Sequence, residues 1–243
     1  VLFHQNKHLH KPRPAEANDK ASAGLFPSRF SGVSFHPLRR AGMLKLHKPP
    51  PTPLDHFSKA LGEIALVNII AKDLKRHDVI KADKKIGYLY RSYIVYLVAV
   101  WQTFLIELAR ASLEALIAKD ANSILHEQLR SNLERQIKNH FKSPDTQNID
   151  ALVEFVTGIK KISNRWEWKG ISNEIVKQRH AELLKLRNEI AHTAYSNQDL
   201  SVDTNYDYMK FLFNIGCILN NVIGEYIKRE TGKEEFLRRE LKY

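Results

Sequence analysis

The sequence predicts an all-α fold: a bundle of about five to six helices in residues 54–243, behind a disordered segment in residues 1–53. From Leu54 onward apolar side chains return every three or four residues, the period that places them on one face of an α-helix. Eight of the nine prolines lie before residue 54, so the remaining chain is nearly free of the residue that most strongly interrupts a helix. Hydrophobic residues make up 43% of the 243, enough to bury a sizeable core.

Residues 1–53 have a different character. They hold five of the eleven histidines and nine Lys/Arg against two acids, Glu16 and Asp19, and so account for +7 of the formal net charge of +11. With little apolar periodicity, such a stretch cannot offset the entropy of ordering and is expected to be disordered. The chain starts at Val1 and its first methionine is Met43. The reading is therefore a native start near Met43, with residues 1–42 as translated upstream sequence or a leader. The segment lacks the apolar core of a secretory signal, and its prolines argue against an amphipathic transit helix. Its functional alternative is a basic arm that grips nucleic acid.

Pro53 marks the start of the first helix, where Leu54, Phe57, Leu61, Ile64, Val67, Ile70 and Leu74 form a stripe up to Arg76–Asp78. The second helix runs from about Ile86 to Lys119 and is apolar nearly all round at Ile94–Ile106, the mark of a helix central to a bundle. Its longest uncharged run, Ser92–Ile106, is shorter than the roughly 18 to 20 apolar residues that span a bilayer, so a buried core helix is expected and no membrane partner. A more polar third helix covers about Asn122–Phe141, with Ile124, Leu125, Leu129, Leu133 and Ile137 as its apolar positions. Ser143-Pro144-Asp145 then breaks the chain, and Asp150–Ile162 forms a short fourth helix.

Residues Ser163–Gly170 read SNRWEWKG, a loop that sets Arg165, Trp166, Trp168 and Lys169 close together. Arg165, Trp166 and Lys169 are candidates for holding single-stranded RNA by charge and stacking. The alternative, that the tryptophans plug the bundle, is the favoured one. Ser172 is an N-cap with Glu174 in the first turn, opening a helix that buries Ile175, Val176, Leu183, Leu184, Leu186 and Ile190. A last helix spans about Asp203–Arg229, with core candidates at Tyr206, Met209, Phe211, Leu212, Ile215, Leu219, Val222, Ile223 and Tyr226. Gly232 ends it, and the charged tail to Tyr243 is expected to be solvated. The single cysteine, Cys217, lies among apolar neighbours; no intrachain disulfide framework exists, and a reducing, cytoplasmic setting fits.

The chemistry gathers in Leu183–Tyr195, LLKLRNEIAHTAY, which sets Arg187, Asn188 and His192 within six residues. Histidine is the side chain whose ordinary pKa suits proton transfer near neutral pH, and arginine is a permanent cation that fits a pair of phosphate oxygens. Together they suit a phosphodiester. Asn188 and His192 are four apart and share a helical face, whereas Arg187 and His192 are five apart and diverge by roughly 140°. One copy is thus an awkward site, and two copies facing each other a better one. The structural alternative is a helix-surface arginine and a histidine favourably placed near a helix C-terminus. No Gly-rich phosphate loop, HExxH, His/Cys ligand cluster or nucleophile elbow occurs, so neither metal nor cofactor is expected. The remaining histidines of the folded part, His56, His77, His126, His140 and His180, are scattered surface or core residues.

The residues R-N-E-I-A-H at 187–192 resemble the Arg-x4-His signature, commonly Arg-Asn-x3-His, of the HEPN superfamily. Upstream, Tyr88–Leu108 is similar to the long apolar helix with a Trp-x-x-Phe stretch that precedes the signature in the RiboL-PSP-HEPN group. The resemblance covers roughly residues 54–230. It implies an all-α HEPN-like domain, activity as a metal-independent RNA endonuclease of a toxin or defence system, a homodimer, and an antitoxin or operon-encoded partner protein. It also implies catalytic roles for Arg187, His192 and Asn188. Two positions depart from the pattern: Ala194 stands where some tyrosine-modified toxins have tyrosine, with Tyr195 one later, and Gln102 follows Trp101 where many members have Glu. The alternatives are a non-catalytic HEPN-like module for nucleotide or RNA binding or for dimerisation, and a helical bundle that binds only protein.

Because residues 1–42 have no apolar periodicity with which to join a core, their deletion should leave the thermal unfolding midpoint unchanged. A large fall in that midpoint would show that they take part in the folded structure.

Overall fold

The computed structural model describes residues 51–118, 122–234, 236 and 239–241. The expectation of disorder in residues 1–53 lies outside them up to residue 50; of the last three residues, Thr52 caps the first helix and Pro53 opens it. The described residues form six α-helices: α1 (Pro53–Arg76), α2 (Ala82–Ile117), α3 (Ser123–His140), α4 (Thr146–Thr157), α5 (Asn173–Thr193) and α6 (Val202–Thr231), with a 3-10 turn at Ile162–Arg165 before α5. The fold is the all-α bundle that the periodicity predicts.

Local signals set the ends of these helices. The Thr52 hydroxyl accepts the Asp55 N–H at 3.2 Å while the Asp55 carboxylate accepts the Thr52 N–H at 3.0 Å, a reciprocal cap with Pro53 in the first turn. The backbone hydrogen bond from Thr52 holds the Asp55 carboxyl below its ordinary range. α4 corrects the sequence reading, which placed it at 150–162. Asp145 both breaks the chain and caps the new helix, accepting the Asn148 N–H at 2.9 Å, so that α4 opens at Thr146; Gly158, in the left-handed region at φ 74°, closes it after Thr157.

α2 is the central element and packs against α1, α3, α4, α5 and α6. It is the one described helix long and apolar enough to cross a bilayer, and half of its most apolar stretch is buried inside the bundle. Burial runs along it from Tyr93 through Leu97, Trp101, Phe104 and Leu108. Around Trp101 an aromatic cluster joins three helices: Phe57 of α1 stacks on Phe104 at 4.6 Å, and Trp101 lies 5.7 Å from Phe57. Gly216 of α6 lets this cluster close, since a Cβ there would come within 3.2 Å of the Phe57 ring. The His180 ring of α5 completes it. It is fully buried, accepts the Trp101 indole N–H at Nε2 (3.2 Å) and stands edge-on to Trp166 at 5.2 Å.

Elsewhere the packing selects among apolar positions in ways the periodicity did not predict. On α1 the buried places beyond Leu61 go to Asn68 and Ala71, and Ile70 is half exposed together with Leu66 and Ile69. Asn68 is held there by Asn205 of α6, whose amide donates to it at 2.9 Å. On α5 Ile175 is exposed, and His180 takes a core position instead. α3 buries only Leu133, with Ile124 and Leu125 outside. Two two-pronged ion pairs, Arg110 with Glu134 and Arg130 with Glu114, each with contacts of 2.7 Å, strap α3 to the outer face of α2. Their side chains are about half exposed and screened by solvent, so the pairs add little stability and mainly set the orientation of α3. The described part of the tail is not simply solvated: Phe236 is buried against Gly224, and Arg239 exchanges two backbone hydrogen bonds with the Asn221 amide, at 2.9 and 2.8 Å.

Burial pushes the His180 imidazole down to about 4, from an ordinary value of 6.5. The unfolded chain therefore takes up this proton first as the pH falls. The stability that the neutral ring contributes is complete above pH 6.5 and is lost between there and pH 4, in an amount of about 3 kcal/mol. Denaturant midpoints measured across that window should fall more steeply for the parent than for His180→Gln, which can still accept the indole hydrogen but does not titrate. Parallel curves would remove this histidine from the acid response.

Candidate functional site

The site is built on the C-terminal half of α5. Val176, His180, Leu183, Leu186 and Ile190 turn into the core and fix the rotation of the helix, so the opposite face is left outside. Ala181, Lys185, Asn188 and His192, spaced by four, three and four, share that outer face and line a groove of about 620 Å³. Leu184 and Glu189 complete the α5 side, and Ser143 and Asp145, from the link between α3 and α4, form the other wall.

His192 lies in the last turn of α5 and is exposed. The turn after it is tightly tied. Ala194 caps the helix in the left-handed region at φ 57°, the Thr193 hydroxyl donates to the Glu189 carbonyl at 2.7 Å and accepts the Tyr195 N–H at 3.1 Å, and the Glu189 carboxylate accepts the Asn197 N–H at 3.2 Å. These bonds hold the position from which the imidazole projects.

Arg187 is half-buried and does not line the groove, as the divergence of positions five apart requires. Its guanidinium reaches sideways, donating from Nη1 to the Asn188 side-chain oxygen at 2.9 Å. The structure thus brings Arg187 to Asn188 and sets Asn188 beside His192 in the groove. No carboxylate of a described residue pairs with Arg187, and its Nε is shielded from solvent without a hydrogen-bond partner among the described residues. A shielded guanidinium N–H without an acceptor costs stability unless something else supplies one.

The second set of candidates, Arg165, Trp166 and Lys169, is not brought together with the first. Trp166 is fully buried, packed edge-on against His180, so it cannot stack on a base; this corrects its assignment to RNA binding and fits the plug alternative. Arg165 is exposed and lines a separate pocket with Tyr226 and Arg229. Lys169 is exposed in a third, with Trp168 and Ile175. Lys185 was overlooked in the sequence, although its spacing of three from Asn188 and seven from His192 put it on the same face. Among the described residues no three His, Cys, Asp or Glu side chains come together in a way that could hold a metal ion.

A family model described as RiboL-PSP-HEPN matches residues 62–225, which takes in α2 with Trp101 and Phe104, and all of α5. The chain belongs to the RiboL-PSP-HEPN family. No curated protein and no solved structure gives a match. For this HEPN chain, the matched span runs from within α1 to the C-terminal part of α6.

The hydrogen bond from Arg187 to Asn188 makes a prediction independent of any activity. Asn188→Leu removes the acceptor at an exposed position where no packing depends on it. The thermal midpoint should therefore change little, within about 0.5 kcal/mol, while the Arg187 guanidinium nitrogens become freer. A sharper Arg187 side-chain resonance with faster N–H exchange would register this; an unchanged exchange rate would show that the bond does not form in solution.

Proposed function

We propose that this HEPN chain is a metal-independent RNA endonuclease acting as a toxin or defence effector in the cytoplasm, with a homodimer as the active form and an antitoxin or operon-encoded protein as regulator. The observation that carries this reading is Arg187: a cation without a carboxylate partner among the described residues, bonded to an amide that lines the same groove as His192. A purely structural arginine would be expected to have its fork occupied.

The chemistry needs only these side chains. His192 takes the proton of a ribose 2′-hydroxyl, the 2′-oxygen forms a bond to the adjacent phosphorus, and the bond from phosphorus to the 5′-oxygen breaks; that oxygen takes a proton from water, and the hydroxide formed takes back the proton held by His192. The products are a 2′,3′-cyclic phosphate and a 5′-hydroxyl. Arg187 offsets the charge that accumulates on the phosphoryl oxygens, and Asn188 holds its fork toward the groove. The requirement for a 2′-hydroxyl restricts cutting to RNA. Pairing of two α5 faces would bring a second Arg187 to the first His192, which relieves the divergence within one copy. A second reading is a non-catalytic module that binds RNA or nucleotides or only dimerises; its dimerisation form draws support from the carboxylates of Asp145 and Glu189 in the groove, which oppose entry of a polyanion.

Incubation of the purified protein with mixed RNA in chelator tests the two readings together. His192→Ala should lower cleavage by about 10²–10⁴-fold with RNA binding little changed. Arg187→Lys should lose about tenfold to a hundredfold despite its charge, because an ammonium cannot make the two-pronged contact. Circular dichroism should be unchanged in both, since Leu183, Leu186 and Ile190 carry the packing. Sedimentation should find a dimer at micromolar concentration. RNA bound but not cut by the parent would favour the second reading, and cleavage only with added divalent metal would remove this mechanism.

A further inference from the structure

The groove on α5 contains one cation that the proposed chemistry leaves unused, and its neighbours show what it is available for. Asp145 spends its carboxylate on the cap of α4, accepting the Asn148 backbone N–H at 2.9 Å and the Asn148 amide at 2.8 Å. Glu189 is turned to Asn197 at 3.2 Å, and the Asn188 oxygen accepts from Arg187 at 2.9 Å. Lys185 is exposed and makes no hydrogen bond or ion pair with any described residue, although Glu189 stands only four residues on. Together with His192 it is the titratable group of the groove without an internal partner.

Resting on the ribonuclease reading above, we propose that Lys185 is a phosphate-binding residue of this groove, holding a phosphate of the single strand other than the one that is cut. Position decides which phosphate. Seven residues are close to two helical turns, so Lys185 shares the face of His192 but stands about 10 Å from it along the helix axis. That is too far for the ammonium and the imidazole to share one phosphodiester at close range. Lys185 therefore sets the register of the strand, fixing which bond lies before the imidazole. Charge decides why it is needed. With the carboxylates of Asp145 and Glu189 in the walls, a groove without Lys185 would repel a polyanion, and Arg187 reaches it only from behind Asn188. A single flexible point charge suits a phosphate that is held but not attacked, whereas the fork of an arginine suits the reacting one.

The test uses the full chain and two probes: a single-stranded DNA oligonucleotide, which lacks the 2′-hydroxyl and is not cut, and RNA of the same sequence. Binding of the DNA is followed by anisotropy over a series of salt concentrations, and cleavage of the RNA by steady-state kinetics. Lys185→Gln should weaken DNA binding about threefold to tenfold and lower the salt slope by about 0.7 to 1, the mark of one lost phosphate contact. On RNA it should raise KM by a similar factor with kcat within about twofold. Lys185→Arg should retain binding, and Lys210→Gln, an exposed change on α6, should behave as the parent. A Lys185→Gln variant with the parent's slope and KM overturns the proposal, as does a parent that does not bind the DNA at low salt. If the parent cuts no RNA while Lys185→Gln still weakens DNA binding and lowers the slope, the phosphate site stands and the ribonuclease reading fails. The reverse pattern fails the phosphate site alone.

Discussion

The hydrogen bond from the Trp101 indole to His180 Nε2 is the constraint on which the rest of this structure turns. It crosses from the central helix to the helix that carries Arg187, Asn188 and His192, inside a cluster where Phe57, Phe104 and Trp166 exclude water. Since Nε2 accepts, the proton of the neutral ring sits on Nδ1, and that nitrogen is buried without a partner among the described residues. The ring must stay uncharged, because ionising it would leave a buried cation with nothing to balance it. A side chain so restricted in tautomer and charge fixes the rotation of α5. Once that rotation is set, Leu183, Leu186 and Ile190 must face inward, and Lys185, Asn188 and His192 must face out.

That division separates the packing face of α5 from the face that lines the groove. Packing residues and groove residues alternate along α5 but do not overlap, except at Leu184, which is buried and also forms part of the groove wall. Arg187 stands four residues after Leu183 and three before Ile190, on the packing side of the helix. Its half-buried position shields Nε, and its bond to Asn188 links the guanidinium to a residue of the groove.

Polar groups elsewhere select the arrangement more than they strengthen it. The buried Asn68 and Asn205 pair links α1 to α6 by a single hydrogen bond, and a slip would add its donor and acceptor to the Asn68 Nδ2 and Asn205 Oδ1 atoms already buried without a partner among the described residues. The exposed straps on α3 act at lower cost and lower gain: screened by solvent, they orient a helix that buries only Leu133.

Residues close together in the chain specify the helices and gather Arg187, Asn188 and His192 on one of them. Helix periodicity and caps act over three or four residues, so the six helices could be read from residues near each other in the chain, and even the misplaced α4 was marked locally by Asp145 and Gly158. Asn188 and His192 share a face through spacing alone, and Lys185 shares it by the same rule. Which apolar positions another element covers is settled instead by the packing of the helices. Ile70 and Ile175 fit their stripes and lie outside, while Asn68 and His180 take places in the core, because periodicity records that a face is apolar but not how wide a strip its neighbours reach. Trp166 belongs to an aromatic and basic loop, and its burial edge-on to His180 of α5 takes it out of reach of a base. The far wall of the groove, from Ser143 and Asp145, stands nearly fifty residues from His192 in the chain, and no local rule joins them. Contacts between elements are set by the whole bundle finding a common packing, and a single sequence does not display them.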